Sequence, residues 1–423
     1  MNSRKEFIHT FLLVVGYWLF IYCFQYFLVE NGYASQLPNN ITLNRWDAGL
    51  YTDIAKNGYF YPNPPANNNT GCFILFPLIW RWLQVGMLGI SLINYVFFAI
   101  GFSVLARMYK LSTVEKLLWL SFPTVYMMSI PYTEALFFLL MSGTCYGIIK
   151  KRRWLIWVTL FLATLTRPTG IFLLPALLIM ELIANHKKEW YRIAFFYLID
   201  YAFPIVAGLG LFIWYQHYAV GIWFAYFIQQ QKYQGHVFNM PILPFSSLEG
   251  PRNLWISALA LFCCFISIIV VVKKVFNWLF RNIQEPDKLL VLSCVFFGAT
   301  LYKTIFYNPI WGTGTTLTIG LHRYVFATPF FYIFLYHFTN RVAAYKVSQF
   351  LLAFVLCNIA WLSCGAYLHI QFFLYFNCMT LIVFLYMLHA DKKLTWPPLA
   401  IMALNVFFQV IMFQQYLNGL YLD

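Results

Sequence analysis

Apolar residues run along this chain in long stretches separated by short polar connections, the pattern of helices that cross a bilayer. Runs long enough for ~30 Å of hydrocarbon, or nearly so, fall at 7–29, 86–107, 113–129, 132–149, 154–166, 168–184, 195–218, 253–275, 288–306, 322–338, 345–367, 369–389 and 395–416. They predict an all-α, polytopic integral membrane protein with 11–13 transmembrane helices, organised as one domain over residues 1–423. Residues 7–29 are too long for a signal-peptide core and lack a small-residue cleavage site, so they are expected to be a retained first span. No internal repeat is evident, which argues against a transporter built from two related halves.

Lys and Arg set the orientation. With the N-terminus in the cytoplasm, alternate connections carry Arg4 and Lys5, Arg107 to Lys116, Lys150 to Arg153, Lys187 to Arg192, Lys273 to Lys288, Arg341 and Lys346, and Lys392 and Lys393, which is 20 of the 28 basic residues. The opposite side then receives the stretch Asn44 to Tyr59, the turn Ile130 to Glu134, the turn Arg167 to Gly170, and the loops 219–252 and 307–324. The polar motifs are thereby expected on one extracytoplasmic face, with amphipathic helices in the first outer loop (about 30–85).

Composition narrows the class. The chain is 61% hydrophobic, 21% aromatic and 10% charged, against about 25% charged in soluble domains. Its net charge of +14 is dispersed in small clusters between apolar runs rather than gathered with stacking aromatics, so no nucleic-acid partner is expected. Eight of the nine cysteines lie within apolar runs and are expected to pack there rather than form a disulfide or zinc framework.

Six acidic residues are left at or beyond the outer surface: Glu30, Asp47, Asp53, Glu134, Glu249 and Asp423. On a helix over 45–57, Asp47 and Asp53 point roughly 120° apart. Asp53 stands three residues before Lys56, a spacing for a solvated ion pair, whereas Asp47 shares its face with Tyr51 and Ile54 and is the candidate for chemistry. It equally suits a helix N-terminus for dipole reasons alone. Glu134 follows Pro131 at another helix start, where the same dipole reasoning competes with a role toward substrate. Arg167 sits at the tip of a hairpin whose first arm, 154–166, reaches only about 20 Å. Pro168 breaks the helix there, so the guanidinium is expected either on an anionic lipid headgroup or snorkelling to the interface. His322 and Arg323, with Tyr324, form a second cationic cluster that Lys303 and Tyr302 are near enough in sequence to join. Residues Gln229 to His236, including Gln231 and His236, offer amides, an aromatic and a His suited to sugar hydroxyls, or simply a polar loop. A carboxylate base with cations to receive a phosphate is what glycosyl transfer from a lipid phosphate requires.

The blocks Arg45-Trp46-Asp47-Ala48, Ile54-Ala55, Gly58-Tyr59, Phe76-Pro77-Leu78, Pro131-Tyr132-Thr133-Glu134-Ala135-Leu136-Phe137 and Thr166-Arg167-Pro168-Thr169-Gly170 resemble the GPI mannosyltransferase II family and its bacterial relatives, of the GT-C class of membrane glycosyltransferases. The likeness covers residues 45–170, beyond which His322-Arg323-Tyr324 is similar and the last hundred residues match only in being apolar. The resemblance implies inverting transfer of mannose or a similar hexose from a polyprenyl (dolichyl-type) phosphate donor, with Asp47 as base. It implies no obligatory metal or cofactor. The assignment that follows gives the donor phosphate to Arg167, His322, Arg323 and Lys303, and sugar or acceptor contacts to Trp46, Tyr51, Tyr132, Glu134, Gln231 and His236. Trp80 and Pro168-Thr169 depart from the family pattern and leave the acceptor open among glycolipid, glycan and protein. Localisation is expected in a bacterial inner membrane with an outward site, or in the ER membrane with a lumenal one. The other readings are a non-enzymatic carrier of lipid-linked saccharide and a partner subunit, in either of which Asp47 does no chemistry.

Overall fold

The computed structural model describes residues 3–420 except 63–67, 186–189, 233, 247–253, 282, 284, 286, 309–313, 340–345, 365–373, 375–376 and 378–395. Its helices are α1 (Ser3–Glu30), α2 (Asp47–Asn57), α3 (Leu75–Leu83), α4 (Met87–Tyr109), α5 (Thr113–Leu120), α6 (Glu134–Lys150), α7 (Arg153–Thr164), α8 (Leu173–Ala184), α9 (Trp190–Tyr197), α10 (Phe203–Val220), α11 (Ala225–Lys232), α12 (Leu254–Arg281), α13 (Lys288–Phe306), α14 (Leu321–Phe326), α15 (Pro329–Thr339), α16 (Val347–Ser363) and α17 (Trp396–Leu417). Among the described residues extended pairing is confined to one bridge, Ser246 to Leu317. The protein is an all-helical, polytopic membrane protein.

Six described helical stretches are long and apolar enough to cross a bilayer: Arg4–Glu30, Met87–Tyr109, Trp190–Val220, Trp255–Arg281, Lys288–Phe306 and Pro398–Leu417. The thirteen runs of the sequence therefore do not correspond to thirteen straight spans. The run 113–129 divides into α5 and a 3-10 turn, Pro123–Ser129, because a proline cannot continue the hydrogen-bond ladder. That turn and α6 meet at 100°, forming a broken span or a re-entrant loop. The run 168–184 likewise opens with a 3-10 turn, Pro168–Phe172, before α8, and 322–338 is interrupted between α14 and α15. Helix α7 has 12 residues, about 18 Å at 1.5 Å each, as short as the sequence indicates. The expected span 369–389 lies outside the described residues.

The chain forms two compact units, one of Met1–Ile171, Asp200–Gln234 and Met402–Leu422, the other of Phe172–Ile199 and Gly235–Ile401 with Asp423. In unit 1, α1, α4, α6, α7 and α10 pack in sequence as neighbours, and in unit 2 α13 is packed against α8, α12 and α15. With water absent, helices gain from close backbone approach, and small residues mark the closest places. A Cβ on Gly101 of α4 would lie 3.0 Å from the Leu139 Cα of α6, and one on Gly208 of α10 would lie 2.7 Å from the Phe161 carbonyl oxygen of α7.

Gly208 and Gly210 should respond oppositely to the same change. Gly208→Ala forces α10 off α7 and should cost about 1–3 kcal/mol. Gly210, with nothing within 4 Å of a built Cβ, should gain about 0.5–1 kcal/mol from alanine's helix preference. Thermal melts of the two variants in detergent measure the contrast.

Candidate functional site

Helix α2 carries Asp47 as its first residue. Ala48, Tyr51, Ile54 and Ala55 are buried at helical spacing, so one face is locked to the protein while Asp47 stays half-exposed. Tyr51 meets the Phe76 ring edge-on at 5.5 Å and the Tyr132 ring at 6.4 Å. At the other end, Arg81 donates from Nε to the Ala55 carbonyl (2.6 Å) and from Nη2 to the Ile54 carbonyl (2.8 Å), which also accepts from the Gly58 amide (3.0 Å), so a cation sits at the helix C-terminus. Trp46, just before Asp47, has φ 50° and ψ −122° with its side chain 46% exposed. Such a backbone is unfavourable for a bulky residue and persists only where neighbours enforce it. The enforcement is visible in the residues just before it. Arg45 donates to the Leu417 carbonyl (3.2 Å), the Arg45 carbonyl accepts from the Tyr132 hydroxyl (3.4 Å), and the Leu43 carbonyl accepts from the Tyr416 hydroxyl (2.9 Å).

Asp53 does not form the surface pair with Lys56 that the spacing indicates. Its carboxylate accepts from Asn57 Nδ2 (2.7 Å) and from Asn69 Nδ2 (2.6 Å). Asn69 also bonds the Gly58 carbonyl and the Phe60 amide, so Asp53 helps tie the following loop to α2. In the same loop Asn68 is buried and donates to Gln229 (2.5 Å).

The second polar block, the turn before α6, is held from α4. Asn94 Nδ2 donates to the carbonyls of Ile130 (2.6 Å) and Tyr132 (2.8 Å), and Ser91 donates to the carbonyl of Ser129. Two residues beyond Tyr132, Glu134 is fully buried, and its Oε1 lies 3.2 Å from Nη2 of Arg167, which is 4% exposed. The Arg167 guanidinium also stands 5.7 Å from the centre of the Phe137 ring. This corrects the expectation of a cation at the interface seeking a headgroup: the hairpin tip is buried, and its charge is answered by Glu134. The hairpin is tied in turn to the first outer loop through the Leu75 amide and the Leu165 carbonyl (3.0 Å). Three blocks far apart in sequence, at Asp47, Tyr132–Glu134 and Arg167, thus belong to one connected polar end of unit 1. Gln231 of the same unit is exposed on α11.

The remaining candidates lie in unit 2. Lys303 Nζ donates to Asn308 Oδ1 (2.9 Å) and stands 5.7 Å from the centre of the Tyr324 ring. Asn308 donates onward to the Leu317 carbonyl (2.7 Å). His322 is buried, at 1% exposure, and neither ring nitrogen has a hydrogen-bond partner among the described residues, whereas the next residue, Arg323, is half-buried. His236 bonds through Nδ1 to the Tyr307 carbonyl (2.7 Å). Burial and the nearby Lys303 charge lower its pKa to about 4, against the opposing effect of that hydrogen bond. Glu249 lies outside the described residues. Among the described residues no group of three His, Cys, Asp or Glu is placed to hold a metal ion.

Sequence reasoning missed the supporting residues: Asn94, Arg81, Asn69 and Tyr416. The first was legible in principle, since an Asn inside an apolar run needs partners for its amide. No protein-family model matches the chain, and no curated protein or solved structure is significantly similar to it.

The ion pair makes a double-mutant test decisive. Arg167→Leu strands the buried Glu134 carboxylate and should cost about 3–5 kcal/mol, while Glu134→Gln with Arg167→Leu should recover most of it; melting of the three variants against wild type reads this out. For His236 the folded pKa lies below the unfolded value of about 6.5, so the unfolded chain binds the proton first. Wild type should match His236→Gln in pH response above about pH 6.5 and lose stability relative to it as pH falls toward 4, measured by melting temperature at pH 7, 5.5 and 4.

Proposed function

We propose that the protein is an inverting glycosyltransferase of the GT-C type. It moves a hexose, mannose on the resemblance, from a polyprenyl phosphate donor to an acceptor hydroxyl on the extracytoplasmic face. The observation that carries this reading is Asp47 itself. It is a half-exposed carboxylate beside a strained, solvent-facing Trp46, on a helix otherwise locked by buried neighbours. Rigid support around one accessible acid is what a general base requires, and backbone strain concentrates at working sites.

In this scheme the Asp47 carboxylate takes the proton of the acceptor hydroxyl as its oxygen forms a bond to the anomeric carbon. The bond from that carbon to the phosphate oxygen breaks, and its electron pair leaves with the phosphate. Attack from the face opposite the leaving group inverts the anomeric centre. Trp46 supplies exposed aromatic surface beside the base, and the buried rings of Tyr51 and Tyr132 hold α2 in place behind it. Arg167, its charge already answered by Glu134, holds the Tyr132 turn and its own hairpin in register. The departing phosphate has to be met by cationic side chains that stabilise its developing charge.

Incubation of purified protein with polyprenyl-phosphate mannose and a mixed acceptor pool, followed by mass spectrometry, should yield a mannosylated product of inverted configuration. Asp47→Asn should lower its rate by ~10²–10⁴ while donor binding persists. A product of retained configuration, or an unchanged rate, would sink the assignment; a carrier of lipid-linked saccharide would transport without product and tolerate the change.

A further inference from the structure

The end of unit 1 away from Asp47 is basic. Helices α4 and α6 run side by side in the same direction, since Asn94 reaches the Ile130 and Tyr132 carbonyls and Gly101 packs against Leu139. Both therefore finish at the same end, about 24 Å along α6 from Glu134 at 1.5 Å per residue. Arg107 and Lys110 close α4, Lys150 and Lys151 close α6, and Arg152 and Arg153 open α7. Trp154, next in the chain, is 64% exposed. Tryptophan beside a run of Lys and Arg marks the headgroup layer of a bilayer.

Helix C-termini favour cations, so a basic residue at each end requires no ligand. Lys116 is different. It lies on α5, which turns back along α4 directly after Lys110, and Trp119 of α5 meets the Phe102 ring edge-on at 6.4 Å. Phe102 is two turns before the end of α4, so Lys116, one turn nearer that end than Trp119, lies just beneath the basic surface. Lys116 is 4% exposed, and among the described residues its ammonium has neither a carboxylate nor a hydrogen-bond acceptor. The half-buried Arg107 guanidinium likewise has none. The hairpin's acid, Glu115, is already committed, accepting from the Ser112 amide and hydroxyl (both 2.7 Å). Asp200 is taken by Arg153 (3.2 Å), and Glu6 shares the first turn of α1 with Lys5. A nearly buried cation with no counter-ion is unfavourable.

An anion is what these cations lack, and Lys and Arg both accept phosphate. Free phosphate and a lipid headgroup share that chemistry. The level marked by Trp154 favours the lipid, as do exposed apolar side chains on the two helices that meet here, Ile8 and Leu12 of α1 and Val114 of α5. A phosphatidylcholine phosphate is already offset by its own choline, so a net-anionic headgroup is the better match. We infer that the α4–α5 hairpin binds the headgroup phosphate of an anionic phospholipid, with Lys116 and Arg107 as its partners and Lys110 at the rim. The inference is independent of the transfer reaction and of Asp47.

The test titrates full-length protein in neutral detergent with dioleoylphosphatidylglycerol and counts bound lipid by native mass spectrometry. Wild type should retain this lipid in preference to dioleoylphosphatidylcholine, and inorganic phosphate should not displace it. Lys116→Met should weaken retention about fivefold and Arg107→Gln with Lys110→Gln about thirtyfold, at roughly 1 kcal/mol per cation. Lys150→Gln with Lys151→Gln removes the same charge from the same end but outside the hairpin, and should change retention by less than about twofold because exposed charges are screened. With no protein group answering its ammonium, Lys116→Met should melt no lower than wild type when anionic lipid is absent. Equal retention of the two lipids, displacement by inorganic phosphate, or unchanged retention in Lys116→Met would each overturn the inference. So would equal losses in the two double variants, which diffuse attraction to the whole end would give, or a lower melting point of Lys116→Met without anionic lipid.

Discussion

The buried pair of Glu134 and Arg167 is the contact on which the polar end of unit 1 depends. Neither charge has access to bulk water, and either one alone in that setting would be strongly unfavourable. Together they join the start of α6 to the break between α7 and the Pro168 turn, two points where helices end and backbone groups need partners. The pair does not need to add net stability to matter. Its geometry selects one arrangement of two chain breaks, and the loop carrying Asp47 is built against that arrangement through Tyr132 and Leu165.

The same logic explains why so many side chains here bond to carbonyls. Asn94, Arg81, Ser91, Tyr132 and Tyr416 each satisfy main-chain oxygens exposed by a turn or a helix end. Where water is scarce, an interrupted helix survives only with such substitutes. The scaffold around α2 can therefore be irregular and still rigid. Trp46 can hold a backbone that a free chain would abandon, and the acid next to it stays half-exposed.

What could be read from the residues alone was whatever depends on local composition and spacing. The membrane class followed from apolar runs and scarce charge. The inward face of α2 followed from helical spacing, as Tyr51 and Ile54 show, and the shortness of α7 followed from counting residues between Arg153 and the Pro168 break. Hydropathy registers a run such as 113–129 as continuous, while a proline within it redirects the backbone at no cost in hydrophobicity.

Only the tertiary structure decided which polar group answers which. Glu134 and Arg167 are 33 residues apart with a whole hairpin between them, and nothing local distinguishes a paired Arg from one reaching for a headgroup. Asp53 had a basic neighbour at the right spacing in Lys56, yet the folded loop brought Asn69 closer. Chain-local periodicity determines which side of a helix turns inward; pairing of charges and amides is set by which helix ends come together, and that is a property of packing rather than of order along the chain.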